Sequence, residues 1–131
     1  LGMQALLGHS EENNGVECLD VFSGSSKFFG HNMRDTSGEK LKVPHMGWNR
    51  VHQEMDHPMW QGIEQDARFY FVHSYFVENN FTEIVAGTTD YAFKFAAALT
   101  TKNLFAVQFH PEKSHSSGLQ LLENFVTWKG I

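Results

Sequence analysis

Apolar positions along the chain come in short bursts separated by polar turns, with helical spacing only towards the end. Residues 1–8 predict a short apolar helix stopped by Gly8. Residues 9–15 (His-Ser-Glu-Glu-Asn-Asn-Gly) carry turn chemistry and predict a loop. Over residues 16–29 apolar pieces alternate with Ser and Gly, and residues 30–39 predict a second polar loop. Residues 41–43 predict a strand, whose regular pairing Pro44 ends. Residues 68–77 are dense in aromatic and β-branched side chains, as in a strand buried on both faces. Residues 82–88, 92–99 and 104–109 extend the pattern, with turns at Asn79-Asn80, Thr89-Asp90 and Lys102-Asn103, and together predict a β meander. Residues 116–129 predict a helix in which Leu119, Leu122, Phe125 and Val126 cover the sheet, with Gly130 at its end.

No repeat, low-complexity tract or linker divides the 131 residues, so they read as one domain or part of one. The abrupt start at Leu1 reads as a cut through a larger unit. A chain of this length buries roughly two thirds of its unfolded surface and needs no disulfides to hold a core. The single cysteine, Cys18, excludes an internal bridge and a Cys-rich zinc cage. Ten basic against fifteen acidic residues give a net charge of −5, with no Lys/Arg cluster to neutralise a run of phosphates, so nucleic acid is excluded as a partner. The apolar runs fall far short of the ~20 residues that cross a bilayer, and no charged leader precedes one, which predicts a cytoplasmic protein without a membrane partner.

Twelve Phe and eight His raise the question of chemistry. A metal site fails on spacing. No His-Glu-x-x-His is present, and His45, His52 and His57 lie too far apart for one helix face, so they read as scattered surface and site-lining side chains. His110-Pro111-Glu112 follows directly on an apolar strand. In extended chain residues two apart share a side, so the carboxylate can accept the Nδ1 proton and leave Nε2 as a base. The alternative is an ordinary His and Glu in a turn. Cys18 lacks the strand-to-helix elbow of a nucleophile and reads as a small core residue. Ser74 and Ser114 lack a Gly-x-Ser-x-Gly frame and read as hydrogen-bonding residues. The stretch Val43-Pro44-His45-Met46-Gly47-Trp48-Asn49 reads as a loop rich in adaptable apolar area, either plugging the core or forming a docking surface.

Taken together, these pieces resemble the glutaminase subunits of imidazole glycerol phosphate synthase, a branch of the class I glutamine amidotransferases that serves histidine biosynthesis. The resemblance runs almost end to end. It rests on Leu1-Gly2-Met3-Gln4, on residues 42–49 (Lys-Val-Pro-His-Met-Gly-Trp-Asn), on residues 70–75 (Tyr-Phe-Val-His-Ser-Tyr) and on residues 108–114 (Gln-Phe-His-Pro-Glu-Lys-Ser). The Phe-His-Pro-Glu run is shared across class I amidotransferases, whereas Pro-His-Met-Gly-Trp-Asn is far narrower.

The resemblance implies an α/β fold with a doubly wound, flavodoxin-like sheet, of which this chain is the C-terminal two thirds. It also implies a Cys-His-Glu triad that hydrolyses glutamine to glutamate and ammonia without a cofactor. His110 matches the base and Glu112 its orienter. Gln4 matches a glutamine contact, the Leu1 N–H an oxyanion donor, and His73, Ser74 and Tyr75 the strand end that holds the amino-acid portion of glutamine. Pro44, His45, Met46, Gly47, Trp48 and Asn49 match the face that docks on the synthase (cyclase) barrel in a heterodimer. In the family the nucleophilic cysteine stands immediately before Leu-Gly-Met-Gln. Residues 1–131 alone are therefore expected to be inactive and, with sheet edges uncovered, to self-associate. The alternative is a noncatalytic scaffold that keeps only the docking surface.

Overall fold

The computed structural model of the chain describes residues 2–78 and 82–130. Helix α1 (Gly2–Ala5) leads into strands β1 (His9–Ser10), β2 (Val16–Glu17), β3 (Ser25–Phe28), β4 (His45–Arg50) and β5 (His52–Gln53). Strands β6 (Arg68–His73), β7 (Tyr75–Glu78), β8 (Val85–Tyr91), β9 (Phe93–Thr101) and β10 (Leu104–Val107) follow, and helix α2 (His115–Thr127) closes the chain. The main sheet runs β2-β1-β3-β7-β9-β8-β5, with β10 also on β9. Its β1–β3 pair is parallel and its other pairs are antiparallel. Strands β4 and β6 form a separate antiparallel ribbon, with His45 opposite His73 and Trp48 opposite Tyr70.

The predicted meander is present as β8, β9 and β10, and the Lys102-Asn103 turn closes its second hairpin. Its first turn is displaced. The chain reverses at Ala92, whose φ is 70°, while Thr89 and Asp90 stay in the ladder opposite Phe95 and Lys94. Thr89 is buried and donates its hydroxyl to the Arg50 carbonyl at 2.6 Å, so tertiary contact overrides its turn propensity. The Asn79-Asn80 turn lies outside the described residues. Residues 9–15, expected as a loop, begin with a short strand and continue through a 3-10 turn at Glu12–Asn14.

Three further expectations are corrected. Residues 41–43 form no strand; Leu41 and Val43 instead pack on the Phe29, Met33 and Phe95 cluster, and the strand begins after Pro44. The expected 43–49 loop is therefore mostly β4. Residues 68–77 are two strands broken at Ser74, whose carbonyl accepts from Phe29 N–H and whose bend sends the chain from the ribbon into the main sheet. On β6 only alternate residues are buried. Phe69 and Phe71 are 1% and 0% exposed, and burial of each ring stabilises by about 1.5–3 kcal/mol.

Helix α2 forms where expected but presents a different face. Leu119, Leu122, Phe125 and Val126 are exposed, while Gly118, Leu121 and Asn124 point inward. Leu121 joins the core of Trp60, Phe69 and Phe109, and Asn124 Nδ2 donates to the Met59 and Gln61 carbonyls at 2.8 and 2.7 Å. Gly118 decides the seating. A Cβ there would lie 1.9 Å from the Pro111 carbonyl oxygen, so only glycine lets the helix approach this close. Cys18 is partly exposed rather than in the core, because its loop runs over the surface beside Gly8. Among the described residues, no helix is long and apolar enough to cross a membrane.

Candidate active site

Strand β10 ends at Val107, and the chain continues through buried Gln108 and Phe109 to His110. Strand β6 grips that end on both sides. His110 N–H donates to the Tyr70 carbonyl at 2.9 Å, Tyr70 N–H donates to Ser114 Oγ at 2.9 Å, and Ser114 Oγ–H donates to the His110 carbonyl at 2.6 Å. Ser114 is 1% exposed, as suits a hydroxyl that closes a backbone circuit.

Pro111 then starts a 3-10 turn, Pro111–Lys113, with its fixed φ and missing N–H suited to that position. The turn, not the extended chain the spacing predicts, brings Glu112 back to His110. Nδ1 and Oε1 are 2.8 Å apart. The Glu112 backbone N–H, then the His110 ring, hold the Glu112 carboxyl below the usual carboxylate range. An ionised Glu112 accepts the Nδ1 proton, which leaves Nε2 as the basic nitrogen. Both side chains are solvent-exposed, at 40% and 58%.

Gln4 of α1 is buried and reaches this strand end. Its Nε2 donates to Gln108 Oε1 at 2.9 Å and to the Tyr75 carbonyl at 3.1 Å. The structure thus brings Gln4, Tyr75, Gln108, His110 and Glu112 into one connected region. Leu1 lies outside the described residues. His73, Ser74 and Tyr75 sit at the β6–β7 break.

The stretch 44–49, expected as a docking surface, divides between two faces. Met46 and Trp48 point outward at 62% and 44% exposure, and Trp48 stacks on the His115 ring with centroids 5.0 Å apart. Gly47 between them has a φ of 126°, open to glycine and strained for other residues. His45, expected both on the partner face and among scattered histidines, is only 2% exposed. The alternation along β4 turns it inward, where its Nδ1 lies 2.8 Å from His73 Nε2. Burial pushes His45 down to about 3 and His73 down to about 4, so both rings are neutral near pH 7. His57 also departs from a surface role, since its Nδ1 accepts the Met59 N–H and caps a 3-10 turn. His52 pairs with Asp66 at the surface, 3.0 Å away.

Tyr70, Gln108 and Gly118 support the site without having stood out in the sequence as supports. A glycine inside a helical pattern is the one available signal for a close backbone approach.

The Glutamine amidotransferase class-I family model matches residues 1–128. This chain belongs to the class I glutamine amidotransferases. Members similar to it include imidazole glycerol phosphate synthase subunit HisH of Pseudomonas putida and subunit HisH 1 of Pseudomonas aeruginosa, each 57% identical over 130 residues. Those alignments cover 99% of this chain and 61% of each relative. The corresponding HisH subunit of Nitrosococcus oceani is 56% identical over 131 residues, covering 100% of this chain and 60% of that protein. The chain therefore spans about three fifths of the length of the curated relatives it matches. In fold, this amidotransferase chain is similar to the crystal structure of a GMP synthase subunit from Thermoplasma acidophilum, with a TM-score of 0.59 and 19% identity over 79% of this chain and 47% of the other. That likeness concerns the fold, a mixed α/β sheet with a C-terminal helix.

Proposed function

We propose that residues 1–131 are a partial amidotransferase domain carrying the base, its orienter and the docking strand of an imidazole glycerol phosphate synthase glutaminase subunit. The observation that carries this reading is the 2.8 Å His110–Glu112 hydrogen bond at a strand end locked by Tyr70 and Ser114. In the reaction, His110 Nε2 takes the proton of a cysteine thiol, and the thiolate attacks the side-chain carboxamide of glutamine. The imidazolium returns its proton to the departing nitrogen, ammonia leaves, and water hydrolyses the thioester to glutamate. Glu112 stabilises the imidazolium through Nδ1. Cys18 directly follows β2 with its Sγ on the Val16 carbonyl, so the reading assigns the nucleophile to family sequence ahead of the Leu-Gly-Met-Gln stretch.

The partner proposed is the synthase barrel subunit, which takes the ammonia, with Met46 and Trp48 forming the exposed contact on β4. The isolated chain would self-associate through Leu119, Leu122, Phe125 and Val126, all exposed on α2.

A glutaminase assay, with and without the barrel subunit, tests the reading on this chain and on a longer chain that includes the cysteine. The longer chain should turn over glutamine, and His110→Asn should reduce that by roughly 10²–10⁴ while barrel binding persists. Turnover by residues 1–131 alone would overturn the assignment of the nucleophile. Barrel binding by a longer chain that never turns over would favour the scaffold reading.

A further inference from the structure

We propose that Asn49, His45 and His73 form a one-way hydrogen-bond relay that holds the Tyr75 carbonyl and Gln4 in place, making His45 a positioning residue for glutamine hydrolysis. The proposal rests on the glutaminase reading for its consequence and on local geometry for its existence.

The direction of the relay follows from which groups can donate. The Tyr75 carbonyl has lone pairs only, so His73 Nδ1, 2.8 Å away, carries a proton. The Nε2 of a neutral His73 is then an acceptor, and His45 Nδ1, 2.8 Å away, must donate to it. His45 Nε2 is left as an acceptor and receives Asn49 Nδ2–H at 3.2 Å. Asn49 cannot be turned over. Its Oδ1 accepts Arg50 N–H at 2.8 Å and its Nδ2 also donates to the Asp90 carbonyl at 2.8 Å, so a flipped amide would set oxygen against oxygen and N–H against N–H. Both ring nitrogens of both histidines are thereby used without a net charge.

The aromatic walls hold the rings in that plane. His45 is stacked on Tyr91 and Phe71, with centroids 3.9 and 4.9 Å away, and His73 is tilted against Phe29 at 5.1 Å and edge-on to Phe95 at 5.4 Å. With His45 and His73 only 2% and 6% exposed, bulk water cannot replace a lost partner. At the far end the Tyr75 carbonyl accepts two donors, His73 Nδ1 and Gln4 Nε2. Gln4 in turn holds Gln108, two residues before His110. The relay therefore ties the inner face of the docking strand to the strand end that carries the base.

The test uses the 131-residue chain uniformly labelled with ¹⁵N and ¹³C. Long-range ¹H–¹⁵N spectra near pH 7 should show His45 and His73 both as the neutral Nδ1–H tautomer. In His45→Leu, the Tyr75 carbonyl and Gln4 side-chain amide signals should shift, and His45→Gln, which keeps a donor and an acceptor, should restore them. In the longer chain with the cysteine, His45→Leu should lower kcat/KM for glutamine by about tenfold with rescue by Gln, while barrel affinity stays within about twofold because the side chain faces inward. An Nε2–H tautomer at either ring, or unmoved Gln4 signals in folded His45→Leu, overturns the relay. If His45→Leu does not fold, Asn49→Ala decides by the same two spectra. A wild-type longer chain without glutaminase activity, but with the expected tautomers and shifts, would sink the glutaminase reading and leave the relay standing.

Discussion

Lowering the pH from 8 to 5 should destabilise the fold through the buried histidine pair. Burial, then the charge of the neighbouring ring, pushes His45 from 6.5 down to about 3. Burial pushes His73 from 6.5 to about 4, even though the Tyr75 carbonyl favours its protonated form. Since both native values are depressed, the unfolded chain takes up protons below pH 6.5, while the native chain takes up none until the pH approaches 4. Stability is therefore level above about pH 7 and falls as the pH drops through 6.5. Each extra proton on the unfolded state costs about 1.4 kcal/mol per pH unit, so two give a limiting slope of about 3. Integrated from pH 8 to pH 5, the loss is about 4 kcal/mol, a large share of the roughly 5–15 kcal/mol of an ordinary domain. His57, also lowered by burial, adds in the same direction. Glu54 and Glu112, both held below the usual carboxylate range, add losses only at lower pH, so the window from 6.5 to 5 isolates the rings. Urea titrations followed by tryptophan fluorescence at half-unit pH steps measure the slope. In His45→Gln the slope should fall by about 1.4 kcal/mol per pH unit, because one titrating ring is gone. A flat profile from pH 7 to 5, or a slope unchanged by His45→Gln, would refute the argument.

Other outcomes follow from single contacts. Gly118→Ala should destabilise by about 1–3 kcal/mol or more, because the added carbon meets the Pro111 carbonyl at 1.9 Å; urea midpoints and the His110 ring shifts would report it, and a neutral result would contradict the close seating of α2. Trp48→Ala should change stability by less than about 1 kcal/mol, since Trp48 is 44% exposed, yet weaken barrel binding about tenfold or more by calorimetry. Glu112→Gln in the longer chain should lower kcat by about tenfold or more, because the imidazolium loses its anionic partner; unchanged kcat would remove Glu112 from the mechanism. Leu119→Glu with Phe125→Glu should shift the isolated chain towards monomer in sedimentation equilibrium, and no shift would exclude α2 as the contact.

Much of the chemistry was local enough to see in the sequence. His110 and Glu112 are two residues apart, and the proline between them starts the turn that joins them. The apolar runs announced the meander, and helical spacing announced α2, since each element type has its own period. Which face of α2 is buried was hidden, because it depends on Gly118 meeting a carbonyl seven residues earlier. His45 likewise looked like one more residue of a docking loop. Its burial follows from pairing with β6, which sets the phase of alternation along β4.

By itself the sequence determined the meander, the C-terminal helix, the family resemblance and the neighbouring His110 and Glu112, all of which depend on residues close along the chain. The tertiary structure alone decided strand pairing, the tautomers of His45 and His73 and the link from Gln4 to the base strand. Those depend on partners up to 104 positions apart, such as Gln4 and Gln108. Only folding brings such donors and acceptors within 3 Å, where burial obliges each to find its match.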